Sequence, residues 1–137
     1  MSGYVTFLVG GQEMAGRLLD VREVVRAVGV EPLPGSRAPV TGLLTLRGNP
    51  VPLVDLRTAA EPGAAGDVLV LEAGDDGVLG LAVDRVVAVI EEGDLRPIDN
   101  PVHPLALPSY VLEVRRDAHD RPVFVVALRA LAGLVPA

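Results

Sequence analysis

Apolar runs rich in valine, such as YVTFLV (4–9) and DVLVLEA (67–73), recur through this chain and are repeatedly cut by glycine and proline. This punctuation constrains the fold more than any other feature. Gly and Pro end helices, whereas β-branched residues suit a pleated sheet, so the pattern favours short strands. With 137 residues, half of them hydrophobic and 22% charged, the chain can bury a core as one compact unit or two very small ones. Aromatic residues make up 3%, so that core must be aliphatic.

The chain also repeats itself. Gly10, Gly16 and Asp20 match Gly74, Gly80 and Asp84, and each set follows an apolar run and leads into a valine pair, Val24-Val25 or Val86-Val87. The unit is a hairpin with a glycine-bearing turn and an aspartate at its exit. PVPLVDLR (50–57) aligns with PVFVVALR (122–129) at five of eight positions. The second copy carries extra residues, placed in the Pro-rich loop PIDNPVHPLALP, and EPGAAGD (61–67) forms the joint. Strands are expected near 4–9, 13–19, 23–28, 42–47 and 50–56, then near 67–73, 77–83, 86–91, 110–115 and 122–128. Short helical turns are expected at 19–22, 56–60 and 128–134. Five strands per unit suit a small closed barrel without exposed edges. The expectation is an all-β single domain over 1–137, built of barrel subdomains 3–61 and 66–134, with strand exchange between them allowed.

Several chemistries are excluded by residue type. There is no cysteine, so no disulfide or thiolate site exists, and all twelve basic residues are arginine, so no P-loop or Schiff-base lysine exists. A net charge of −6 with few aromatics disfavours nucleic acid. His103 and His119 lack neighbours at metal-ligand spacing, and Asp75-Asp76-Gly77 reads as a turn because Val78, Leu79 and Leu81 replace the oxygen ligands a calcium loop needs. Glu91, Glu92 and Asp94 read as a solvated strand end, and none of Ser2, Ser36 and Ser109 sits in a nucleophile elbow. The start, MSGYVTFLVGGQEM, shows no secretory pattern, and no apolar run approaches a membrane span, so a soluble intracellular protein is expected. With no nucleophile, base, metal or cofactor site, a binding module is the simplest reading.

The stretch GLLTLRGNPVPLVDLR (42–57) resembles the hallmark segment of the CheW family, the coupling proteins of bacterial chemosensory arrays. Gly42, Leu46, Arg47, Gly48, Pro52, Asp55, Leu56 and Arg57 fill its fixed positions. VREVV (21–25), GLAVDRVVAV (80–89) and LRPI (95–98) resemble further family segments in the right order, although Met14 stands where an aromatic residue is usual. The resemblance implies two five-stranded, SH3-like barrels, no catalysis and no cofactor. It implies a cytoplasmic adaptor that joins the regulatory domain of a CheA-type histidine kinase to the cytoplasmic tip of methyl-accepting chemoreceptors, at membrane-anchored arrays without entering the membrane. By matched position Glu23 and Arg47 are receptor-contacting residues, with Val21, Gly42 and Val89 lining or supporting the same groove; the alternative is that Arg47 pairs with Glu23 or Asp55 to pin the fold. Gly48, Pro52, Asp55, Leu56 and Arg57 are expected to support the fold, Asp55 and Arg57 by capping the next helical turn. An adaptor for pilus or gliding motility, or a small-ligand module using the groove between barrels, is the alternative.

Overall fold

The computed structural model describes residues 3–33, 35, 40–57, 65–73, 77–98 and 107–134. The strands are β1 (Gly3–Val9), β2 (Gln12–Arg17), β3 (Val21–Arg26), β4 (Glu31–Pro32), β5 (Val40–Leu46), β6 (Asn49–Asp55), β7 (Asp67–Glu72), β8 (Val78–Val83), β9 (Arg85–Glu91), β10 (Arg96–Pro97), β11 (Val111–Arg116) and β12 (Pro122–Val126). Short 3-10 turns cover Leu18–Asp20, Glu92–Asp94 and Leu128–Leu134. All ten expected strands are present. The two-residue β4 and β10 escape a sequence reading because each is too short to show a period and ends on proline. The acidic group at 91–94 is a capping box, in which Glu91 N–H donates to the Asp94 carboxylate at 3.0 Å. Residues 58–60 of the expected helical turn, 61–64 of the joint, 74–76 of the acidic turn and 99–106 of the Pro-rich loop, with His103, lie outside the described residues.

The strands form two sheets, ordered β10-β11-β12-β2-β1-β9 and β3-β7-β8-β6-β5-β4. We call them sheets A and B. Each has five strands of five to seven residues and one of two. Each combines a hairpin from one half of the chain with strands of the other: β1–β2 completes sheet A, and β7–β8 completes sheet B. Closed barrels were the expectation. Instead, no backbone ladder joins β9 to β10 or β3 to β4 among the described residues. Each sheet is rolled over its own small core, Tyr4, Ala15, Leu95, Val123 and Val125 in A, and Leu44, Leu53, Val68 and Val70 in B. A larger core around Phe7, Val54, Leu69, Leu81 and Leu128 spans the space between them.

The two sheets repeat each other strand for strand, including a parallel pairing, β12 on β2 and β6 on β8. Bulges recur at equivalent places, with Arg22, Val87, Thr41 and Leu112 as the extra residues, all exposed. The ladders correct one sequence match. Ala15 pairs with Thr6 and Val125, as Gly80 pairs with Val70 and Leu53, so Ala15 and not Gly16 is the counterpart of Gly80. The cause is a longer second turn: Ala73 N–H donates to Gly77 O at 2.8 Å, with three residues between them, against Gly10 and Gly11 in the first turn.

The prolines of PVPL fit an interior strand for a specific reason. Leu46 pairs with Asn49 across a two-residue turn, and that closing pair exchanges hydrogen bonds. Pro50 and Pro52 therefore take the alternate positions whose N–H would point away from β5. On that side β6 meets β8 only from Leu53 onward, so neither proline removes a ladder bond.

Candidate docking site

Arg47 and Gly48 form the β5–β6 turn, with φ of +49° and +82°. Positive φ at both central residues is the turn type whose twist matches flanking strands. Glycine adopts it freely; arginine does so under strain. From this turn Arg47 reaches across the roll of sheet B to Glu23 on β3, at the opposite edge of the ladder. Nη1 donates to Glu23 Oε1 at 3.0 Å and Nη2 donates to Oε2, a two-pronged ion pair. The Arg47 guanidinium, through its hydrogen bonds and charge, holds the Glu23 carboxyl below the usual carboxylate range. A cavity of about 110 Å³ lies beside the pair, lined by Arg22, Leu46, Asn49, Val51, Val70 and Val78. The fork thus closes with side chains a mouth that the backbone leaves open.

The other positions matched to the family segment separate. Val21 is two residues from Glu23 across the β3 bulge and packs on the intersheet core. Gly42 is buried; a Cβ there would lie 2.7 Å from the Glu31 carbonyl oxygen, so its place in the structure is to let β4 approach β5. Val89 is 63% exposed but sits on β9 in sheet A, paired with Val5. The structure therefore brings Glu23 and Arg47 into contact and leaves Val89 on a different sheet.

Asp55 and Arg57 answer to another site. The Arg57 side chain is 6% exposed. Its Nε and Nη2 donate to Asp55 at 2.9 and 2.7 Å, its main-chain N–H donates to Asp55 Oδ1 at 2.9 Å, and Nη1 donates to Asp84 Oδ1 at 3.2 Å. Asp84 Oδ2 accepts from Gly11 N–H at 2.8 Å, and Asp84 N–H donates to Leu8 O at 2.8 Å. Burial opposes ionisation of Asp84, but the amides of Gly11 and Gly10 and the Arg57 guanidinium outweigh it and keep its pKa low. This clasp ties the end of β6 to the β1–β2 turn and to the corner where the chain passes from sheet B to sheet A. At the other crossover, Arg129 Nε donates to Asp20 Oδ1 at 2.9 Å, with the Arg129 side chain 77% exposed. Asp84 and the Asp20–Arg129 pair were not foreseen as partners. The signal was present, since the repeat matched Asp20 with Asp84 and Arg57 with Arg129.

His119 lies in the β11–β12 loop, where its main-chain N–H donates to Asp117 Oδ1 at 2.8 Å. Among the described residues, no group of three or more His, Asp or Glu side chains could hold a metal ion, and no helix is long and apolar enough to cross a membrane.

A family model described as "CheW-like domain" matches residues 3–134. The chain is 32% identical over 100 residues to "Chemotaxis protein CheW" of Rhizobium meliloti (strain 1021), covering 68% of this chain and 64% of that protein. It is 28% identical over 101 residues to "Chemotaxis protein CheW" of Helicobacter pylori (strain ATCC 700392 / 26695), covering 69% of this chain and 61% of that protein. The matched region is thus less than two thirds of the length of either relative. The crystal structure of the scaffolding protein TtCheW from Thermoanaerobacter tengcongensis shares the fold, with a TM-score of 0.74 at 23% identity over 95% of this chain and 86% of that one. By the family match, which spans nearly its whole length, this chain belongs to the CheW-like domain family.

Proposed function

We propose that this chain is a non-catalytic chemosensory adaptor. It couples the cytoplasmic tip of a chemoreceptor to the regulatory domain of a CheA-type histidine kinase, in the cytoplasm at the face of membrane-anchored arrays. The observation that carries the reading is the Glu23–Arg47 fork at the mouth of sheet B. The equivalent of Glu23 in sheet A is Ala88, which pairs with Thr6 as Glu23 pairs with Val70. The fold thus forms its second roll without such a fork, which argues that the fork serves something other than folding. A receptor tip is a helical hairpin, and a groove offering apolar side chains beside a planar guanidinium can seat helix residues and fix their orientation. Val21 supports this face from the strand that carries Glu23, whereas Gly42 is taken up by the approach of β4 to β5 and Val89 lies on sheet A.

The test is titration calorimetry against the regulatory domain of each CheA-type kinase of the same organism. Saturable one-to-one binding in the micromolar range, about −8 kcal/mol, is the expected result. Absence of binding to every such domain sinks the coupling role.

A further inference from the structure

Gly48 is a glycine for reasons of backbone alone. A Cβ built there would meet nothing within 4 Å, yet its φ is +82°. Other glycines of the sheets are different. A Cβ at Gly16 would lie 2.3 Å from Leu128, and one at Gly80 would lie 2.5 Å from Leu53, so packing requires them. Arg47, one residue earlier, is held at φ +49° in a position where Asn, Asp or Gly is usual. Asparagine is at hand in the sequence, but as Asn49 it stands two places too late to relieve the turn. Each local choice normally agrees with its backbone, and a residue kept against that preference points to a use for its side chain. The side chain held here is the one that forks onto Glu23.

We propose that Gly48 is a positioning residue for partner docking. By fixing the two-residue turn it holds Arg47 in the left-handed conformation, and so forms the Glu23–Arg47 fork before a partner arrives. A preformed fork spares the partner the ordering of a long arginine side chain. The structure of the second sheet is consistent with this division of labour. The β11–β12 loop spans five residues between Arg116 and Pro122 and is organised by Asp117. It faces Val87, Ala88, Glu13 and Asp94, and its Asp120 pairs with Arg96, so no arginine of this loop forks onto the position equivalent to Glu23, which in this sheet is Ala88. The proposal rests on reading the fork as the receptor-docking site, and its test separates the two ideas.

Three chains are compared: the unaltered protein, Gly48→Ala and Gly48→Asn, the last because asparagine tolerates positive φ. Carbon-detected NMR follows the Glu23 carboxyl through a pH titration, and calorimetry follows binding of a receptor-tip helical hairpin. In the unaltered chain Glu23 titrates below an ordinary glutamate, and the intraresidue H–N to Hα distance of Arg47 is the short one of a left-handed residue. In Gly48→Ala the Glu23 titration rises to the ordinary value and hairpin binding weakens about tenfold, while Gly48→Asn restores both. An ordinary Glu23 titration or a right-handed Arg47 in the unaltered chain overturns the proposal without any variant having to fold. So does a Gly48→Ala chain that keeps the low Glu23 titration. If the titration follows the three chains as expected but hairpin binding does not, the turn still positions the fork and the receptor reading falls.

Discussion

The two crossovers between the sheets carry the same device in different settings. At the Asp84 corner the arginine is buried, grips a second carboxylate, Asp55, and draws in the amide of Gly11. At the Asp20 corner Arg129 lies 77% exposed on a single carboxylate, and Ala127 stands where Asp55 stands in the other copy. Coulomb attraction is similar in kind, but water screens the second pair and leaves it little to contribute, whereas the first is insulated and each of its charges depends on the others. The fork at Glu23–Arg47 is a third case, exposed like the Asp20 pair but present in one sheet alone. A polar contact that both copies keep belongs to the fold, and its worth follows burial. One that a single copy keeps on its surface is not required by the fold, which leaves the fork free for the recognition role proposed for it.

The largest expected effect breaks the buried clasp. Arg57→Ala strands Asp55 and Asp84 beside the core and should lower stability by about 3 kcal/mol, the low end for a broken buried pair because Asp84 is 30% exposed. Chemical denaturation measures it, and a loss under 1 kcal/mol would mean that water replaces the guanidinium. Next comes Gly80→Ala, whose Cβ would lie 2.5 Å from Leu53 and 2.9 Å from Val68, both fully buried side chains. A loss of about 1–3 kcal/mol is expected from overpacking. The same change read from the sequence repeat alone would be ranked equal to Gly16→Ala, whereas the ladders place the two glycines at different points of their sheets.

The clasp also predicts a pH dependence with a definite sign. Asp84 has a lowered pKa in the folded state, so its contribution is complete above the unfolded value of about 3.9 and is lost as pH falls through the folded value. Acid unfolding curves below about pH 4 should therefore flatten in Asp84→Asn, whatever that variant costs at neutral pH. An unchanged slope would show that Asp84 titrates normally. The smallest effect is that of Arg129→Ala, which should cost no more than about 1 kcal/mol. A loss matching that of Arg57→Ala would erase the contrast between the two crossovers.

Much of the fold was legible in the sequence. Valine-rich runs cut by glycine and proline gave the ten long strands, because period and punctuation are local properties. Strand exchange between the subdomains was allowed for, but which hairpin joins which sheet was not legible. Which strand lies beside β2 depends on packing between residues 110 positions apart, such as Phe124 and Met14, and no local pattern encodes that. The glycine match slipped by one residue because Gly10 and Gly16 align with Gly74 and Gly80 without a gap, so the extra residue of the second turn leaves no mark in the string. At the site, Glu23 and Arg47 were named from resemblance, with Glu23 and Asp55 both open as partners of Arg47; the choice between them and the strained turn behind it could not be read from the string L-R-G-N. Arginine before glycine says nothing of φ, and β3 and β5 are far apart in the ladder until the sheet rolls.

The central claim is that the fork serves recognition while the clasp serves the fold. Arg47→Ala tests it in one preparation, by a thermal melt alongside calorimetric titration with a receptor-tip helical hairpin. The account predicts an unchanged melting temperature and hairpin binding weakened at least tenfold, the loss expected of a central interface arginine. A variant that binds the hairpin like the unaltered protein, or that loses binding only because it has unfolded, would contradict it.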